Sequence, residues 1–430
     1  MKFVIAGGRK LQGEIEVRGA KNSVIKAMAA SLLFDGPITI TNAPLIEDVF
    51  RMSELLENLG VKIENFPPGE DSLLAEGIRK LKLDPTNANG TVLKKDIAER
   101  LRASIVIAGP LLARNKKVSF PHPGGCVIGK RPIDIFLSGW TAMGASVEES
   151  GDDFKIEARK LKWVDFTFRV VSVTGTETLM MTATLADGKT ILRNAAMEPE
   201  IPALANFLND SGADIKGAGT PIIEITGTGG RLLRAQKPFV VIPDRIEAGS
   251  FLILGAALGR NLKIKNCNPE HIASLITILI SAGVPVGIGR DWVSVSRPEK
   301  IKPIDVKTKE YPGFPTDLQA PFTVLMTQAE GESNIFETIF ENRFGYIEDL
   351  KRMGANIILR DPQKILVKGP AELHGQEIES PDLRAGLAFV IAALLAKGES
   401  VVSNVYQIDR GYEKIDERLR SLGAEIKRVV

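Results

Sequence analysis

One unit recurs six times along this 430-residue chain, and that repetition limits its fold more than any single motif. Each copy closes with an amphipathic helix, a glycine and a short strand: LLENLGVKIE, WTAMGASVEE, FLNDSGADIK, ILISAGVPVG, LKRMGANIIL and LRSLGAEIKR. The marker glycines Gly60, Gly144, Gly212, Gly283, Gly354 and Gly423 stand 84, 68, 71, 71 and 69 residues apart. The long first interval holds Phe66 to Gly90, rich in Pro, Asp and Asn, which reads as a loop excursion. Val49, Met52, Leu56 and Leu59 share a helical face, as do Ile133, Phe136, Trp140 and Met143, and Tyr412, Ile415, Leu419 and Leu422. The glycine suits a left-handed helix stop, which a Cβ would oppose. A second, more apolar helix opens each unit, as in GSFLILGAALG and RAGLAFVIAALLAKG, followed by a β-branched strand such as Pro37 to Thr41 or Glu399 to Ser403. The unit therefore reads strand–helix–strand–helix–strand–strand, an α/β pattern. Its first helix, apolar on most faces, is expected inside a cluster of units with the sheets outside. A period near 70 is too long for the common solenoids. Six units in this length suggest two lobes of three, and a cleft between two lobes is a natural ligand site.

Composition removes several classes of function. The formal net charge of +2 provides no global field for nucleic acid or an anionic membrane, so any anion site has to be built locally. Two cysteines, Cys126 and Cys267, are too few for a disulfide framework and fit a reducing, cytoplasmic setting. The longest apolar helical stretch, Ala385 to Ala396, is 12 residues, against roughly 18 for a membrane span. Met1 to Lys10 has too short an apolar run for a signal peptide. The three histidines form no H-x-x-x-H pair and no cysteine cluster exists, so no metal and no cofactor is expected. Without a G-x-S-x-G elbow, Ser-His-Asp hydrolysis is disfavoured.

Cations recur where the inner helices begin. Arg18-Gly19-Ala20-Lys21-Asn22-Ser23, Arg100-Leu101-Arg102-Ala103-Ser104, Pro243-Asp244-Arg245-Ile246-Glu247 and Pro381-Asp382-Leu383-Arg384-Ala385 all place a Lys or Arg at such a position. Helix N-termini with nearby cations attract phosphates and carboxylates. If pseudo-symmetry turns these ends inward, one cleft collects Lys21, Arg102, Arg245 and Arg384. Taken singly, each reads as capping or surface pairing; recurrence shifts the balance. Three strand-to-helix turns repeat the theme: Lys130-Arg131-Pro132, Phe340-Glu341-Asn342-Arg343-Phe344 and Asp409-Arg410-Gly411-Tyr412.

The stretch Phe120 to Asp134 is the most unusual connector. Gly124 to Lys130 fits G-x-x-x-x-G-K, but position 131 is Arg where a P-loop needs Ser or Thr for Mg²⁺, so that reading fails. The other reading is a loop that presents Cys126 to an anionic substrate. Lys130 and Arg131 favour its thiolate and an anionic ligand opposes it, which suits a proton donor or a nucleophile near neutral pH. Cys267 lacks such company and reads as structural.

Together these residues resemble the enolpyruvyl transferase family, and within it the UDP-N-acetylglucosamine 1-carboxyvinyltransferases, from Leu11-Gln12-Gly13 to Leu422-Gly423-Ala424. The motifs are Gly19-Ala20-Lys21-Asn22, Arg102-Ala103-Ser104, Pro123-Gly124-Gly125-Cys126, Arg131-Pro132-Ile133-Asp134, Glu198-Pro199-Glu200, Pro243-Asp244-Arg245-Ile246-Glu247, Phe314-Pro315-Thr316-Asp317, Phe340-Glu341-Asn342-Arg343-Phe344, Asp382-Leu383-Arg384 and Asp409-Arg410-Gly411-Tyr412. The resemblance implies a two-lobed inside-out α/β barrel of six repeats, three per lobe. Residues 22–243 would form the first lobe, carrying the Cys126 loop, and residues 1–21 with 244–430 the second.

It also implies transfer of the enolpyruvyl group from phosphoenolpyruvate to the 3-hydroxyl of UDP-N-acetylglucosamine, with phosphate released, as the first committed step of peptidoglycan synthesis. No obligate protein partner is implied. Lys21, Arg131 and Arg410 look like phosphate-side and transition-state partners, and Arg343, Arg384 and Arg410 like the carboxylate side. Asp317 looks like the base near the sugar hydroxyl. Cys126 looks like the acid that protonates the methylene carbon and can form a covalent adduct. Arg131, Pro132, Ile133, Asp134 and Ile135 resemble the uridine-binding stretch, and Asn22, Arg102, Ser172, Val173, Asp317 and Ile339 other sugar-nucleotide positions. Two departures stand out. Val170 replaces a diphosphate-contacting Lys of some relatives, with Arg169 beside it, and Met197 precedes Glu198 where relatives often carry Arg.

Three alternatives fit less well. A 3-phosphoshikimate 1-carboxyvinyltransferase lacks the Pro-Gly-Gly-Cys loop. An RNA 3′-phosphate cyclase needs a nucleotidylated histidine in a C-terminal motif that is missing here. A non-catalytic UDP-sugar-binding homologue would be expected to lose Cys126, Asp317 or Arg410, and all three are present.

Overall fold

The computed structural model describes residues 1–64, 80–99, 101–122 and 133–429. They fall into two compact units. One joins Met1–Arg18 to Pro243–Val430, and the other comprises the described residues of Gly19–Cys126 and Arg131–Ile242. Each unit has its own hydrophobic core.

Every repeat contributes one small sheet, and the sheets share one plan. In the third repeat, Asp165–Thr167 pairs in parallel with Lys189–Arg193, which pairs antiparallel with Ile222–Thr226, which pairs antiparallel with Asp214–Lys216. The fifth repeats this order with Val306–Lys307, Gly331–Phe336, Lys364–Gly369 and Asn356–Asp361. In the second repeat Lys117–Pro121, Asp153–Glu157 and Ser146–Ser150 form three strands, and an isolated parallel bridge from Val92 to Ser119 stands in the remaining place.

The other three sheets are completed by chain distant in sequence. Phe239–Val240 supplies the parallel edge beside Ile38–Thr41 in the first sheet. Leu11–Glu16 does the same beside Gly259–Lys265 in the fourth. Lys2–Ala6 is the third strand of the sixth, held between Glu399–Ser403 and Glu425–Val429.

Part of the stretch read as a loop excursion is sheet. Lys80–Asp84 pairs antiparallel with both Ile38–Thr41 and Lys62–Glu64. Its Leu81 and Leu83 are buried while the lysines point outward, a period-2 signal masked by the Pro, Asp and Asn around it. Residues 66–79 of that stretch lie outside the described residues.

The inner helices are Lys21–Ala30, Ile105–Asn115 and Val173–Thr184 in one unit, and Arg245–Leu258, Gln319–Met326 and Leu383–Leu395 in the other. They are buried on nearly all faces, as their composition predicts: every residue is buried from Gly175 to Thr184, Ile246 to Leu258 and Leu383 to Leu394. Buried threonines meet their own helix, with Thr182 Oγ1 and Thr184 Oγ1 each donating at 2.9 Å to the carbonyl four residues back. Gly109 allows close approach of Ile105–Asn115 to Val173–Thr184, since a Cβ there would lie 2.7 Å from Thr178 Cγ2. Among the described residues, no helix is long and apolar enough to cross a membrane.

All six marker glycines follow an outer helix with φ between +83° and +106°. Gly144 has open space around a would-be Cβ, whose nearest neighbour is 3.6 Å away, whereas at Gly354 a Cβ would meet the Glu372 carbonyl oxygen at 2.6 Å. Gly144→Ala should therefore cost about 1–2 kcal/mol, the left-handed penalty alone. Gly354→Ala should cost more, about 2–4 kcal/mol, because a clash adds to it. Urea unfolding of the two variants checks that ranking.

Candidate active site

In the Gly19–Ile242 unit, the expected residues stand at helix starts. Lys21 opens the Lys21–Ala30 helix, and its Nζ lies 2.5 Å from Asp48 Oδ2, in the first turn of the outer helix Glu47–Asn58. Asp48 is buried, so this contact holds the ammonium in one place. Asn22 follows on the same turn. Arg102 opens the 3₁₀ turn Arg102–Ser104 that leads into Ile105–Asn115. Ser172 caps Val173–Thr184, its Oγ accepting the Gly175 N–H at 3.1 Å.

Gly175 leaves room for Ile135, whose Cγ2 would lie 3.1 Å from a Cβ there. The Ser172–Val173 turn and Ile135 are thus neighbours. Ile133 precedes the Asp134–Ala142 helix, and Asp134 pairs with Arg169, while Val170 is exposed. Arg169 therefore stands beside the expected uridine stretch. Cys126, Arg131 and Pro132 lie outside the described residues.

Beneath these helix ends, Glu177 is fully buried and its Oε2 lies 3.1 Å from Lys26 Nζ. Burial pushes the Glu177 carboxyl up to about 7, against the pull of Lys26 and with help from Glu200 and Glu198. The folded protein thus keeps a proton that the unfolded chain releases near 4.5. The associated stability is full below that value and is lost as pH rises through about 7. Between these limits wild-type stability should fall with a slope approaching about 1.4 kcal/mol per pH unit. The neutral double variant Lys26→Met/Glu177→Met should lack that slope in denaturant titrations across the same range.

In the Met1–Arg18/Pro243–Val430 unit, two of the expected cations, Arg343 and Arg384, converge on one carboxylate. Asp317 sits in the 3₁₀ turn Thr316–Leu318 before Gln319–Met326. Its Oδ1 accepts from Arg343 Nη2 at 2.9 Å, and its Oδ2 lies 3.0 Å from Arg384 Nη2. Both guanidiniums are buried. Burial opposes the charge on Arg384, but Tyr412, Asp317 and Asp244 outweigh it and raise its pKa above the usual guanidinium value.

Local chemistry places each partner. Asp382 caps the Leu383–Leu395 helix, accepting the N–H groups of Arg384 and Ala385 at 2.8 and 3.1 Å. Arg384 Nη1 donates to Tyr412 Oη at 3.0 Å, and Tyr412 Oη lies 3.1 Å from Ser250 Oγ, which donates to the Ile246 carbonyl. Buried Glu337 accepts from Thr308, Thr316, Ile339 N–H and Phe340 N–H. That carboxylate shapes the Ile339 turn and pins the residue next to Asp317. Arg410 ends the Tyr406–Asp409 helix and donates to Gln407 Oε1 at 3.1 Å, while Arg428 binds Asp409 at 2.7 and 2.8 Å. Arg245 stands 5.6 Å from the centre of the Tyr311 ring.

The four cations expected at inner-helix starts are therefore shared between the units, Lys21 and Arg102 in one and Arg245 and Arg384 in the other. Sequence reasoning missed Asp48, Glu337 and Ser250, and gave Tyr412 no role. Only Asp48 carries a signal, as an acid in the first turn of a helix. Tyr412→Phe removes the acceptor for Arg384 and should raise the half-saturating concentration of an anionic substrate about ten- to hundredfold, the worth of one hydrogen bond to a charge. Cys267 is buried, and desolvation pushes its thiol up to about 11, in keeping with a structural residue.

Comparison with known proteins bears on the family and the fold. Residues 5–419 match the family model of EPSP synthase (3-phosphoshikimate 1-carboxyvinyltransferase). The UDP-N-acetylglucosamine 1-carboxyvinyltransferase of Koribacter versatilis is 43% identical over 430 residues, covering 100% of this chain and 96% of that protein. The enzyme of the same name from Acidobacterium capsulatum is 44% identical, with the same coverage. Among solved structures, the enolpyruvyl transferase NikO of Streptomyces tendae shares the fold, with a TM-score of 0.88 at 24% identity over 99% of this chain and 98% of that one. The EPSP synthase of Acinetobacter baumannii does so at a TM-score of 0.74 and 19% identity, over 99% of this chain and 100% of that one. Full-length identity at this level, on a fold of six repeated units, places the chain in the UDP-N-acetylglucosamine 1-carboxyvinyltransferase family.

Proposed function

We infer that the protein transfers the enolpyruvyl group of phosphoenolpyruvate to the 3-hydroxyl of UDP-N-acetylglucosamine and releases phosphate. The observation that carries the reading is the pair of buried guanidiniums, Arg343 and Arg384, at 2.9 and 3.0 Å from the two oxygens of Asp317. They form a cradle of the size and charge of a carboxylate. In this state Asp317 fills it; the carboxylate of phosphoenolpyruvate competes for the same cations.

In the proposed reaction, Asp317 accepts the proton of the sugar hydroxyl as its oxygen bonds to C2 of phosphoenolpyruvate. Cys126 delivers a proton to the methylene carbon, giving a tetrahedral intermediate that bears a methyl group and the phosphate. The Cys126 thiolate takes back a methyl proton as the bond from C2 to the phosphate oxygen breaks, which restores the double bond and releases phosphate. Lys21, Arg131 and Arg410 receive the phosphate charge, and fixed cations around developing charge are the main source of rate. Asn22, Arg102, Ser172, Val173, Ile339 and the residues from Arg131 to Ile135 hold the sugar nucleotide, with Arg169 the cation beside its diphosphate. The two-cysteine composition supports a cytoplasmic setting, and the product leads into peptidoglycan.

Purified protein should release phosphate only when both substrates are present, and no turnover with that pair sinks the assignment. Cys126→Asp should keep part of the acid function but lose covalent labelling by fosfomycin, an epoxide; labelling that persists elsewhere argues against the thiol's role.

A further inference from the structure

Lys26 and Glu177, 3.1 Å apart and almost wholly buried, have no part in the chemistry proposed above, and they form an ion pair once Glu177 ionises. Removing two charges from water costs several kcal/mol each, and apolar residues of similar volume often serve stability as well. Stability alone is therefore a poor reason for the pair, and its position offers a better one. Lys26 lies four residues beyond Asn22 on the Lys21–Ala30 helix, and Glu177 four beyond Val173 on Val173–Thr184. At about 3.6 residues per turn, each charge stands one turn below a helix end expected to hold the sugar nucleotide. Thr176, next to Glu177, accepts the Ala196 N–H at 3.0 Å, tying the same turn to the segment that leads into buried Glu198 and Glu200. Both of those acids act on Glu177 electrostatically.

We propose that Lys26 and Glu177 are positioning residues: their ion pair fixes the register of the two inner helices, so that Lys21, Asn22, Ser172 and Val173 present one fixed arrangement to UDP-N-acetylglucosamine. Apolar helix faces slide past one another at small cost, whereas a buried ion pair has one favoured geometry. The inference rests on the function proposed above.

The test is a double-mutant cycle read by calorimetric titration of UDP-N-acetylglucosamine without phosphoenolpyruvate, at a pH above about 7 where Glu177 is ionised, with thermal unfolding followed in parallel. Glu177→Gln and Lys26→Met should each weaken binding about tenfold or more, with kcat at saturation within about threefold of wild type. Lys26→Met/Glu177→Met, which removes the pair without burying a lone charge, should bind about as weakly as either single variant, because the register is lost only once. If Glu177→Gln does not fold, Glu177→Asp keeps the charge one methylene short and should weaken binding severalfold. Folded single variants that bind like wild type, a double variant that recovers wild-type affinity, or one as weak as the product of the singles would overturn the inference. Absence of binding by wild type overturns the functional reading itself, and is distinguishable on that ground.

Discussion

Arg384→Ala should lower kcat/KM about a hundred- to thousandfold, mostly through KM for phosphoenolpyruvate. The guanidinium is buried, 3.0 Å from Asp317 and 3.0 Å from Tyr412 Oη, so no water reaches in to replace its charge cheaply. The substrate carboxylate is fully charged before the reaction begins, and truncating one partner of a buried, hydrogen-bonded charge pair costs about 2–5 kcal/mol of binding. The fold should survive, because Asp317 keeps Arg343 at 2.9 Å and is not left as an uncompensated charge. Steady-state phosphate release with phosphoenolpyruvate varied is the measurement, and a kcat/KM within about threefold of wild type would remove Arg384 from the site.

Asp317→Asn should split the kinetic constants in opposite directions. Loss of the base is expected to lower kcat about 10²–10⁴-fold. The same substitution removes the anion that occupies Arg343 and Arg384, so phosphoenolpyruvate no longer has to displace a carboxylate. Its binding should be unchanged or tighter. A variant that loses affinity and keeps kcat would show that Asp317 binds substrate without accepting the proton.

The repeat was legible because it rests on local chemistry. A left-handed glycine after an amphipathic helix is written in a few residues, and all six marker positions adopt it. The inner helices were legible for a similar reason, since an apolar run of helical length has few places to go other than a core. The strand Lys80–Asp84 was not, because its two buried leucines sit among Pro, Asp and Asn that signal turns. Arg343, Arg384 and Asp317 stood out as motifs, but their meeting at one carboxylate depends on residues dozens apart in sequence. Glu337 and Ser250 gave no signal, because each acts through hydrogen bonds to segments that only the fold brings near. Lys26 and Glu177 were hidden by their neighbours: in a helix rich in Ala and Met, or Thr and Met, one charge reads as a surface position until burial is known.

The strands borrowed from the chain's beginning bear on synthesis. Lys2–Ala6 and Leu11–Glu16 leave the ribosome well before their partners Gly259–Lys265, Glu399–Ser403 and Glu425–Val429. The Gly19–Ile242 unit has its last strand, Phe239–Val240, once a little over half the chain has emerged, and can close while translation continues. Lys2–Ala6 and Leu11–Glu16 must meanwhile wait with unpaired edges, and such long-range pairing is intrinsically slow and prone to aggregation. Two halves of similar build thus mature on different clocks, and the sixth sheet joins early-made chain to late-made chain.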